Sequence, residues 1–450
     1  MHKINWLYLL NQYGFLKKDD VFFKNVLSIF VSQLIILFLS ISTTAIIAHW
    51  LGPEGKGIIA MAMLLPATLV IILNGGIGIS NVYFASSRKL DIPTLISNSM
   101  NITLLATGIG IGILTFLFTT EGLKKLIPGV PIWTMILAFI CFPVSLMSNY
   151  LSNILQGLKR FLIYNIIGIL QSIVTFIFIL LLVAIFKVGL LGAILGYLFT
   201  AIITLIILIL FFYLESGRFI LKWNLSVIHK TLSYGMKGHI GNVLQYLNYR
   251  FDMFLVNYFL GAASVGIYSI SVAVAELIWY FPNSVGFVIF PKAASTKPEI
   301  MNNFTPRVFR ITLGINTLGA MGLILLGKTL IAFVYSPAFL PAYIPMITIL
   351  PGVVLLGSAK VLTNEIAGRG YPHYNSINSG FSLVLTVILD IILIPKYHII
   401  GAALASSISY SISFILAIGF YKIVSRKGKE IIEPKIINEG INVSTPTYKI

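Results

Sequence analysis

The sequence has little charge and a single cysteine. Charged residues make up 10% of the chain and apolar residues 58%, whereas a soluble domain carries about 25% charged residues. The composition therefore excludes a soluble globular protein. The lone Cys141 excludes a disulfide within the chain and cannot supply the several thiolates of a cysteine-based metal site.

Motifs of nucleotide binding and of catalysis are also missing. The segment 52–57, Gly-Pro-Glu-Gly-Lys-Gly, lacks both the spacing of a phosphate-binding loop and the strand that precedes one. The patterns His-Glu-x-x-His, Cys-x-x-Cys and Gly-x-Ser-x-Gly do not occur. We therefore predict no ATP site, no metal and no cofactor, and a transporter rather than an enzyme.

Long apolar segments dominate what is present. Each has close to the roughly 20 residues that an α-helix needs to cross a bilayer. The twelve predicted spans are residues 27–49, 58–82, 95–118, 132–155, 162–186, 189–213, 235–260, 267–290, 308–335, 340–364, 374–394 and 400–422.

Positive charge alternates between the loops. Of the 31 Lys and Arg residues, 23 lie in or next to the termini and loops on one side, 6 lie in or next to the loops on the other side, and Arg250 and Lys360 lie deep inside predicted spans. Because basic loops stay in the cytoplasm, we predict two cytoplasmic termini and a location in the cytoplasmic (inner) membrane. The net charge of +17 lies beside the spans, which indicates contact with membrane lipids and not with nucleic acid.

The chain repeats itself at a constant offset. A Leu-Gly and a later Gly in 51–57 recur in 260–266, and Gly-Ala-x-Leu in 192–195 recurs in 401–404, both at 209 residues (260 − 51 and 401 − 192). That offset covers six predicted spans, an even number, so both halves have the same orientation. The sequence predicts an all-α polytopic membrane protein with twelve transmembrane helices in two parallel-repeat lobes of six.

The repeat and the spans divide the chain into five parts. We predict an N lobe over 27–214 and a C lobe over 235–424, joined by a cytoplasmic loop at 215–234. Residues 1–26 read as an amphipathic segment on the cytoplasmic surface. Residues 425–450 are polar and contain two prolines, which predicts a cytoplasmic tail.

The run Ala-His-Trp-Leu-Gly-Pro-Glu-Gly-Lys-Gly-Ile-Ile-Ala at 48–60 resembles the start of the oligosaccharide flippase family, the Wzx-type branch of the MATE-like MOP superfamily. The resemblance implies a flippase that moves a lipid-linked (polyprenyl-pyrophosphate) oligosaccharide across the membrane by alternating access, for surface polysaccharide biosynthesis. The resemblance also allows other glycan-assembly membrane proteins to be partners of this chain. A tight turn of glycines and Pro53 at the interface would also explain the motif.

Charged residues near mid-membrane cost about 2.5–3.5 kcal/mol each on insertion scales, so they are functional candidates. In the resembled fold, helices one, two, seven and eight line a central cavity. The predicted substrate-binding residues are Arg250, Lys360, Glu276, Gln33, Asn74 and Asn81. Alternatives remain: Arg250 could pair with Glu276, Lys360 could extend to the interface, and the neutral residues could serve helix packing.

Two carboxylates suggest a coupling-ion site in the second half. Asp252 and Asp390, with Thr386 one turn from Asp390, could hold Na⁺ or a proton, as related flippases do. Asp390 could instead be an interfacial residue. Glu365, one turn from Arg369 at the cytoplasmic end, is expected to be solvated.

Two other functions compete with the flippase. A MATE-type cation-coupled multidrug antiporter shares the fold, but its cavity would need carboxylates and aromatic rings for cationic drugs, whereas Arg250 and Lys360 favour an anion. A membrane glycan polymerase or ligase would need a large external catalytic loop. The sequence offers none.

Overall fold

The computed structural model describes residues 20–122, 127–217 and 221–430, and these residues are helical with short connections. The α-helices are α1 Asp20–Leu73, α2 Ile77–Ser87, α3 Ile92–Thr119, α4 Ile132–Phe139, α5 Cys141–Gly157, α6 Phe161–Ile179, α7 Leu190–Ser216, α8 Leu225–Leu260, α9 Ala262–Ala275, α10 Tyr280–Ser295, α11 Pro298–Tyr335, α12 Tyr343–Gly368 and α13 His373–Glu430. A π-helix covers Leu180–Ile185, and 3₁₀ helices cover Glu276–Trp279 and Pro337–Ala342. The predicted segment 1–26 and tail 425–450 fall largely outside the described residues.

Nine stretches of the described chain are long and apolar enough to cross a membrane, so this is a multi-pass membrane protein. Two of them are too long for one crossing. Helix α1 has 54 residues, or about 80 Å, against a hydrocarbon core of about 30 Å. It is broken at Gly52, where φ is 64°, and α13 is broken at His398, where φ is 53°. Both breaks fall in gaps between predicted spans.

Helix α8 contains the predicted span 235–260 but is not among the nine apolar stretches. The reason is its polar content, because Arg250 and Asp252 lie near its middle together with asparagines and tyrosines. A polar helix inside a membrane protein must contact other protein groups or a wet cavity. Helix α8 therefore carries the clearest candidates for functional residues.

The chain divides into two compact units. Unit 1 comprises most of the first 243 residues with Met253–Ile270 and Lys328–Tyr343, and unit 2 comprises Leu244–Asp252, Ser271–Gly327 and the chain from Ile344 onward. Each unit is described separately below. The lobe boundaries predicted from the repeat stay a prediction.

Glycines of the repeated motif pack directly against each other in unit 1. A Cβ at Gly57 would overlap the carbonyl oxygen of Ala262, and a Cβ at Gly266 would overlap that of Pro53. Gly57 and Gly266 are the two copies of one repeat position, 209 residues apart (266 − 57). Close backbone approach through small residues is the usual way in which membrane helices pack. The motif at 48–60 therefore has a packing role in addition to its turn.

A second close contact in unit 1 joins Gly76 to α8. The backbone of Gly76, which precedes α2, touches the backbone of Gly235, and neither position has room for a Cβ. Nearby, the Ser80 hydroxyl donates to the carbonyl oxygen of Thr231, and the His239 ring lies 3.1 Å from the carbonyl oxygen of Ile72. The first half of α8 is thus held firmly in unit 1.

Candidate functional site

An ion pair in unit 2 joins α8 to the 3₁₀ turn after α9. Arg250 Nη1 lies 2.8 Å from Glu276 Oε1, and Arg250 Nη2 lies 3.0 Å from Glu276 Oε2. The two side chains retain 30% and 19% of their exposure, so the pair is half-buried. A paired, fork-shaped contact of this kind fixes the plane of the guanidinium. Of the two roles that the sequence left open for Arg250, the structure establishes the contact with Glu276.

Lys360 on α12 lies against an aromatic wall. Its Nζ is 3.9 Å from the centroid of the Trp279 ring and donates to Asn283 Oδ1 at 2.9 Å. Tyr249 and Tyr410 complete the wall, with centroids 5.1 Å and 6.0 Å from that of Trp279. A cation over an aromatic face is attracted by the ring electrons. Lys360 is therefore held inside unit 2 by specific contacts.

The local charge balance of this cluster is positive. Arg250 and Lys360 contribute two positive charges, whereas Glu276 contributes one negative charge. Trp279 connects Glu276 with Lys360. It belongs to the same 3₁₀ turn as Glu276, and its ring lies next to Lys360. Arg is suited to phosphate, which accepts its parallel N–H donors in the same geometry as a carboxylate. The arrangement can exchange the Glu276 carboxylate for a phosphate, or bind an anion beside Lys360.

The predicted coupling residues lie where α8 meets α13 in unit 2. The Thr386 hydroxyl is 2.8 Å from Asn248 Oδ1, and the Ser406 hydroxyl donates to Asp252 Oδ2 at 3.4 Å. Asp252 and Asp390 each follow their contact residue by one helical turn. The structure therefore brings Asp252 and Thr386 into one polar contact region.

Asp390 is the less satisfied of the two carboxylates. Its side chain is fully buried, and neither carboxylate oxygen has a hydrogen-bond partner among the residues that the structure describes. An ionised carboxylate without a partner is very costly in an apolar interior. A bound cation or proton would remove that penalty. Asp390 is covered by protein, and its depth in the membrane stays a prediction.

The predicted substrate residues of unit 1 do not form one site. Asn81 is fully buried and donates to Ser99 Oγ at 2.9 Å. Asn74 accepts from the backbone N–H of Gly78 at 3.2 Å, and its carbonyl oxygen accepts from the Tyr150 hydroxyl. These are packing contacts. Gln33 instead lines a separate cavity. Substrate roles for the three residues stay predictions.

One expectation from the sequence is wrong. Glu365 is not solvated: its side chain is fully buried and paired with Arg369. Arg369 also donates to Asn302 Oδ1 at 2.7 Å, so the start of α11 covers the end of α12. The sequence shows the one-turn spacing of the two charges but not the helix that covers them.

Sequence reasoning also missed a cavity in unit 1 formed by α1, α5, α6 and α7, of which it named only Gln33. A signal was present. Asn149, Asn153 and Gln156 recur at intervals of four and three residues, which places their amides on one face of α5. Asn165 follows near the start of α6 and Gln171 near its middle.

Comparison with known proteins identifies the family. Residues 22–297, more than half of the chain, match the family described as "Polysaccharide biosynthesis protein". The chain belongs to the polysaccharide biosynthesis protein family. This confirms the resemblance found at residues 48–60.

Relatives and solved structures agree. "Probable low-salt glycan biosynthesis flippase Agl15" of Haloferax volcanii is 25% identical over 44% of this chain and 45% of its own length. "Putative O-antigen transporter" of Shigella flexneri is 24% identical over 84% of this chain and 91% of its own length. The structure of "Lipid II flippase MurJ, inward closed conformation" superposes with a TM-score of 0.71 at 19% identity, covering 94% of both chains.

These likenesses have defined limits. The match to the Haloferax relative, and that to an uncharacterized membrane protein of Methanocaldococcus jannaschii, span about half the length of each relative. A multidrug MATE transporter has the same fold, with a TM-score of 0.70 at 14% identity over 88% of this chain and 96% of its own. The fold is thus the MurJ- and MATE-like fold. The Haloferax and Shigella relatives are a flippase and a transporter by name, and neither name describes an enzyme.

Proposed function

We propose that this protein flips a polyprenyl-pyrophosphate-linked oligosaccharide across the cytoplasmic membrane by alternating access, for surface polysaccharide biosynthesis. The observation that carries the proposal is the net positive cluster of Arg250, Glu276 and Lys360 inside a membrane protein of the polysaccharide biosynthesis family. Such charges are expensive in a membrane and are typical of substrate pathways. A pyrophosphate is the charged part of the proposed substrate.

The pair with Glu276 would keep Arg250 charged and oriented in the absence of substrate. When a phosphate arrives, it would take over the two N–H donors that Glu276 now occupies. Lys360 would add a second positive charge without a competing carboxylate of its own. Because the exchange replaces one anion with another, Arg250 would keep a negative partner throughout, and the displaced Glu276 carboxylate would have to turn to water or take up a proton.

We also propose twelve spans with cytoplasmic termini. The two breaks in α1 and α13, and the polar α8, would bring the nine apolar stretches to twelve. A cysteine in place of Lys328 should react with a membrane-impermeant maleimide added outside intact cells, whereas one in place of Lys297 should not. External labelling at position 297 would refute the orientation.

Coupling to Na⁺ or a proton would occur at Asp252, Asp390 and Thr386. Asp252 already accepts from Ser406, and Asp390 needs a positive partner. The hydroxyl of Thr386 could supply a neutral oxygen ligand, as hard cations prefer. The cation would leave or enter as the gradient directs, which would drive the substrate in one direction.

The decisive experiment uses the full chain in proteoliposomes with a fluorescent polyprenyl-pyrophosphate-linked glycan. Arg250→Ala should lower the flipping rate by at least about a hundredfold, because charge-assisted pairs to phosphate contribute several kcal/mol in a membrane interior. Arg250→Lys should recover only part of the rate, since Lys cannot make the paired contact.

A matched control exists in unit 1. Arg160 forms an ion pair with Glu215 at 2.9 Å, but the Arg160 side chain is 56% exposed. Arg160→Ala should leave flipping unchanged. Normal flipping by Arg250→Ala would return Arg250 to a packing role and remove the main support for an anionic substrate.

A MATE-type antiporter is the second candidate, because a MATE structure shares the fold. One observation speaks against it: Lys360 already lies on the Trp279 face that a cationic drug would occupy. Export of a fluorescent cationic dye by the same proteoliposomes, competing with the glycolipid, would favour the antiporter.

A further inference from the structure

Among the residues that the structure describes, none with a charged side chain lines the cavity of unit 1. It has a volume of about 330 Å³, near the lower end of the range for small-molecule sites. Amide and hydroxyl groups from α1, α5, α6 and α7 dominate its lining. The amides belong to Gln33, Asn149, Asn153, Gln156, Asn165 and Gln171.

Most of these amides have no protein partner. Asn153 Nδ2 donates to Asn149 Oδ1 at 2.8 Å. Within the part of the chain that the structure describes, no hydrogen bond is made by the amides of Gln33, Gln156, Asn165 and Gln171. Asn165 is 92% buried, since only 8% of it is exposed. Buried polar groups are ordinarily satisfied, so Asn165 is available for a hydrogen bond from a ligand. The amides of Gln33, Asn149 and Gln171 are exposed and open to the cavity that they line.

The chemistry of the wall selects the class of ligand. An amide offers both donors and acceptors, and a hydroxyl offers the same in smaller form. A phosphate would require a cation and a metal ion would require carboxylates, neither of which lines the cavity. A neutral molecule that carries several hydroxyls matches the wall group for group. Sugars are the neutral polyhydroxylated molecules that fit this description.

The cavity lies toward one side of the predicted membrane. Gln33 stands near the start of the span 27–49, and Asn149–Gln156 lie at the end of the span 132–155. Asn165 lies near the start of the span 162–186, and Gln171 lies nine residues into it (171 − 162). All of these span ends adjoin basic loops, which marks them as cytoplasmic. The cavity is therefore near the face from which the proposed substrate would be loaded.

We propose that this cavity binds a neutral sugar unit of the glycan from the cytoplasmic side. The inference rests on the proposed flippase function and adds a second subsite to it. The pyrophosphate is recognised by charge in unit 2, whereas the sugar is recognised by neutral hydrogen bonds in unit 1. Neutral hydrogen bonding discriminates strongly, because a sugar with a missing or displaced hydroxyl leaves a wall amide unpaired.

The test is protection of a cysteine in the cavity wall. The full chain carrying Cys141→Ala and Ser152→Cys is placed in lipid nanodiscs and treated with N-ethylmaleimide. The probes are the oligosaccharide cleaved from its carrier lipid, inorganic pyrophosphate, and buffer alone. At about ten times its Kd, the free oligosaccharide should slow labelling about tenfold. Pyrophosphate should not slow it at all.

Two variants of the cavity wall test whether protection of the cysteine depends on the amides. Asn165→Leu and Gln171→Leu should each weaken protection by the oligosaccharide about fivefold, since each removes one neutral hydrogen-bonding group. Asn303→Leu, which changes an exposed amide on α11, should leave protection unchanged. Size-exclusion chromatography and thermal unfolding of each variant confirm that it is folded.

The outcomes separate this subsite from the function as a whole. The proposal is overturned if the oligosaccharide gives no protection, if pyrophosphate protects equally, or if both wall variants retain full protection. Flipping of the intact glycolipid by the unsubstituted protein is measured in parallel. Flipping without protection removes the sugar subsite alone, whereas protection without flipping removes the proposed transport.

Discussion

The charged side chains of Arg250, Glu276 and Lys360 in unit 2 are held by neighbouring protein groups, whereas four of the six amides that line the unit 1 cavity make no hydrogen bond within the described chain. Arg250 is paired with Glu276, and Lys360 is held by Asn283 and Trp279. The unit 1 cavity has six amides and no charge. A charged side chain inside a membrane needs a protein partner even before a ligand arrives. A neutral amide can stay hydrated without such a partner.

This difference suggests a division of recognition between the two proposed subsites. A charged cluster attracts any anion of suitable size, and it acts over a long range because the interior screens poorly. A neutral wall acts only at contact and depends on where each hydroxyl lies. The unit 2 cluster therefore suits the pyrophosphate that lipid-linked glycans share. The unit 1 cavity suits the sugars by which they differ.

The largest expected effect on stability comes from breaking the compensated pair. Glu276→Ala leaves the half-buried Arg250 without its carboxylate, which should lower the free energy of unfolding by about 2–4 kcal/mol. Exchanging the partners, Arg250→Glu with Glu276→Arg, should regain most of that loss because the pair is restored. Thermal unfolding followed by size-exclusion chromatography measures both.

The exchanged double variant also sharpens the functional comparison. It should be stable yet flip slowly, because its guanidinium now projects from the 3₁₀ turn instead of from α8. Arg160→Ala, which breaks the exposed pair with Glu215, should change stability by less than about 1 kcal/mol. If Glu276→Ala is as stable as Arg160→Ala, then compensation of charge does not distinguish unit 2.

The stability of unit 1 should depend on backbone crowding rather than on charge. Gly57→Ala and Gly266→Ala each introduce a Cβ where the facing backbone leaves no room, so each should destabilise by about 1–3 kcal/mol. Gly108→Ala on α3 is the matched control, since nothing lies within 4 Å of the added atom. It should be neutral or stabilising by up to about 1 kcal/mol. Equal thermal stability of all three variants would contradict the close contact.

The sequence predicted the helices better than it predicted which helices pack against each other. Apolar length predicted twelve spans, and nine stretches of the described chain are long and apolar enough to cross a membrane. Gly52 and His398 break two long helices in gaps between predicted spans. Arg250, Lys360 and Glu276 were found because charges are rare in such segments. Helical periodicity assigns a residue to a face of its own helix, but no single sequence states which helix covers that face.

That limit explains the failures. Glu365 looked solvated because the residues that cover it come from α11, some 60 residues earlier (365 − 302 = 63). The contact of Asn81 with Ser99 could not be read from the sequence for the same reason, because Ser99 lies on another helix. The unit 1 cavity draws on four helices, and its amides are individually unremarkable. A site defined by charge is visible residue by residue, whereas a neutral site becomes visible only after the helices are assembled.

The smallest effect on stability is expected at the proposed coupling site. Asp390 has no donor for either oxygen within the described chain, so Asp390→Asn removes a penalty along with the charge. Its stability should change by no more than about 0.5 kcal/mol or should rise. Asp252→Asn keeps the contact with Ser406 and should also fold normally.

The dependence of transport on the ion gradient should nevertheless change. If Asp252 and Asp390 hold one Na⁺ or proton, each Asn variant should flip glycolipid at a rate that no longer responds to an imposed Na⁺ or proton gradient. The double variant should be no worse than either single, because one site is lost once. Asp91→Asn, at the cap of α3 where Asn caps as well as Asp, should keep gradient dependence. Gradient-driven flipping that survives in both single variants would leave the buried carboxylates of unit 2 without a coupling role, and it would reduce the contrast with unit 1 to the Arg250 cluster alone.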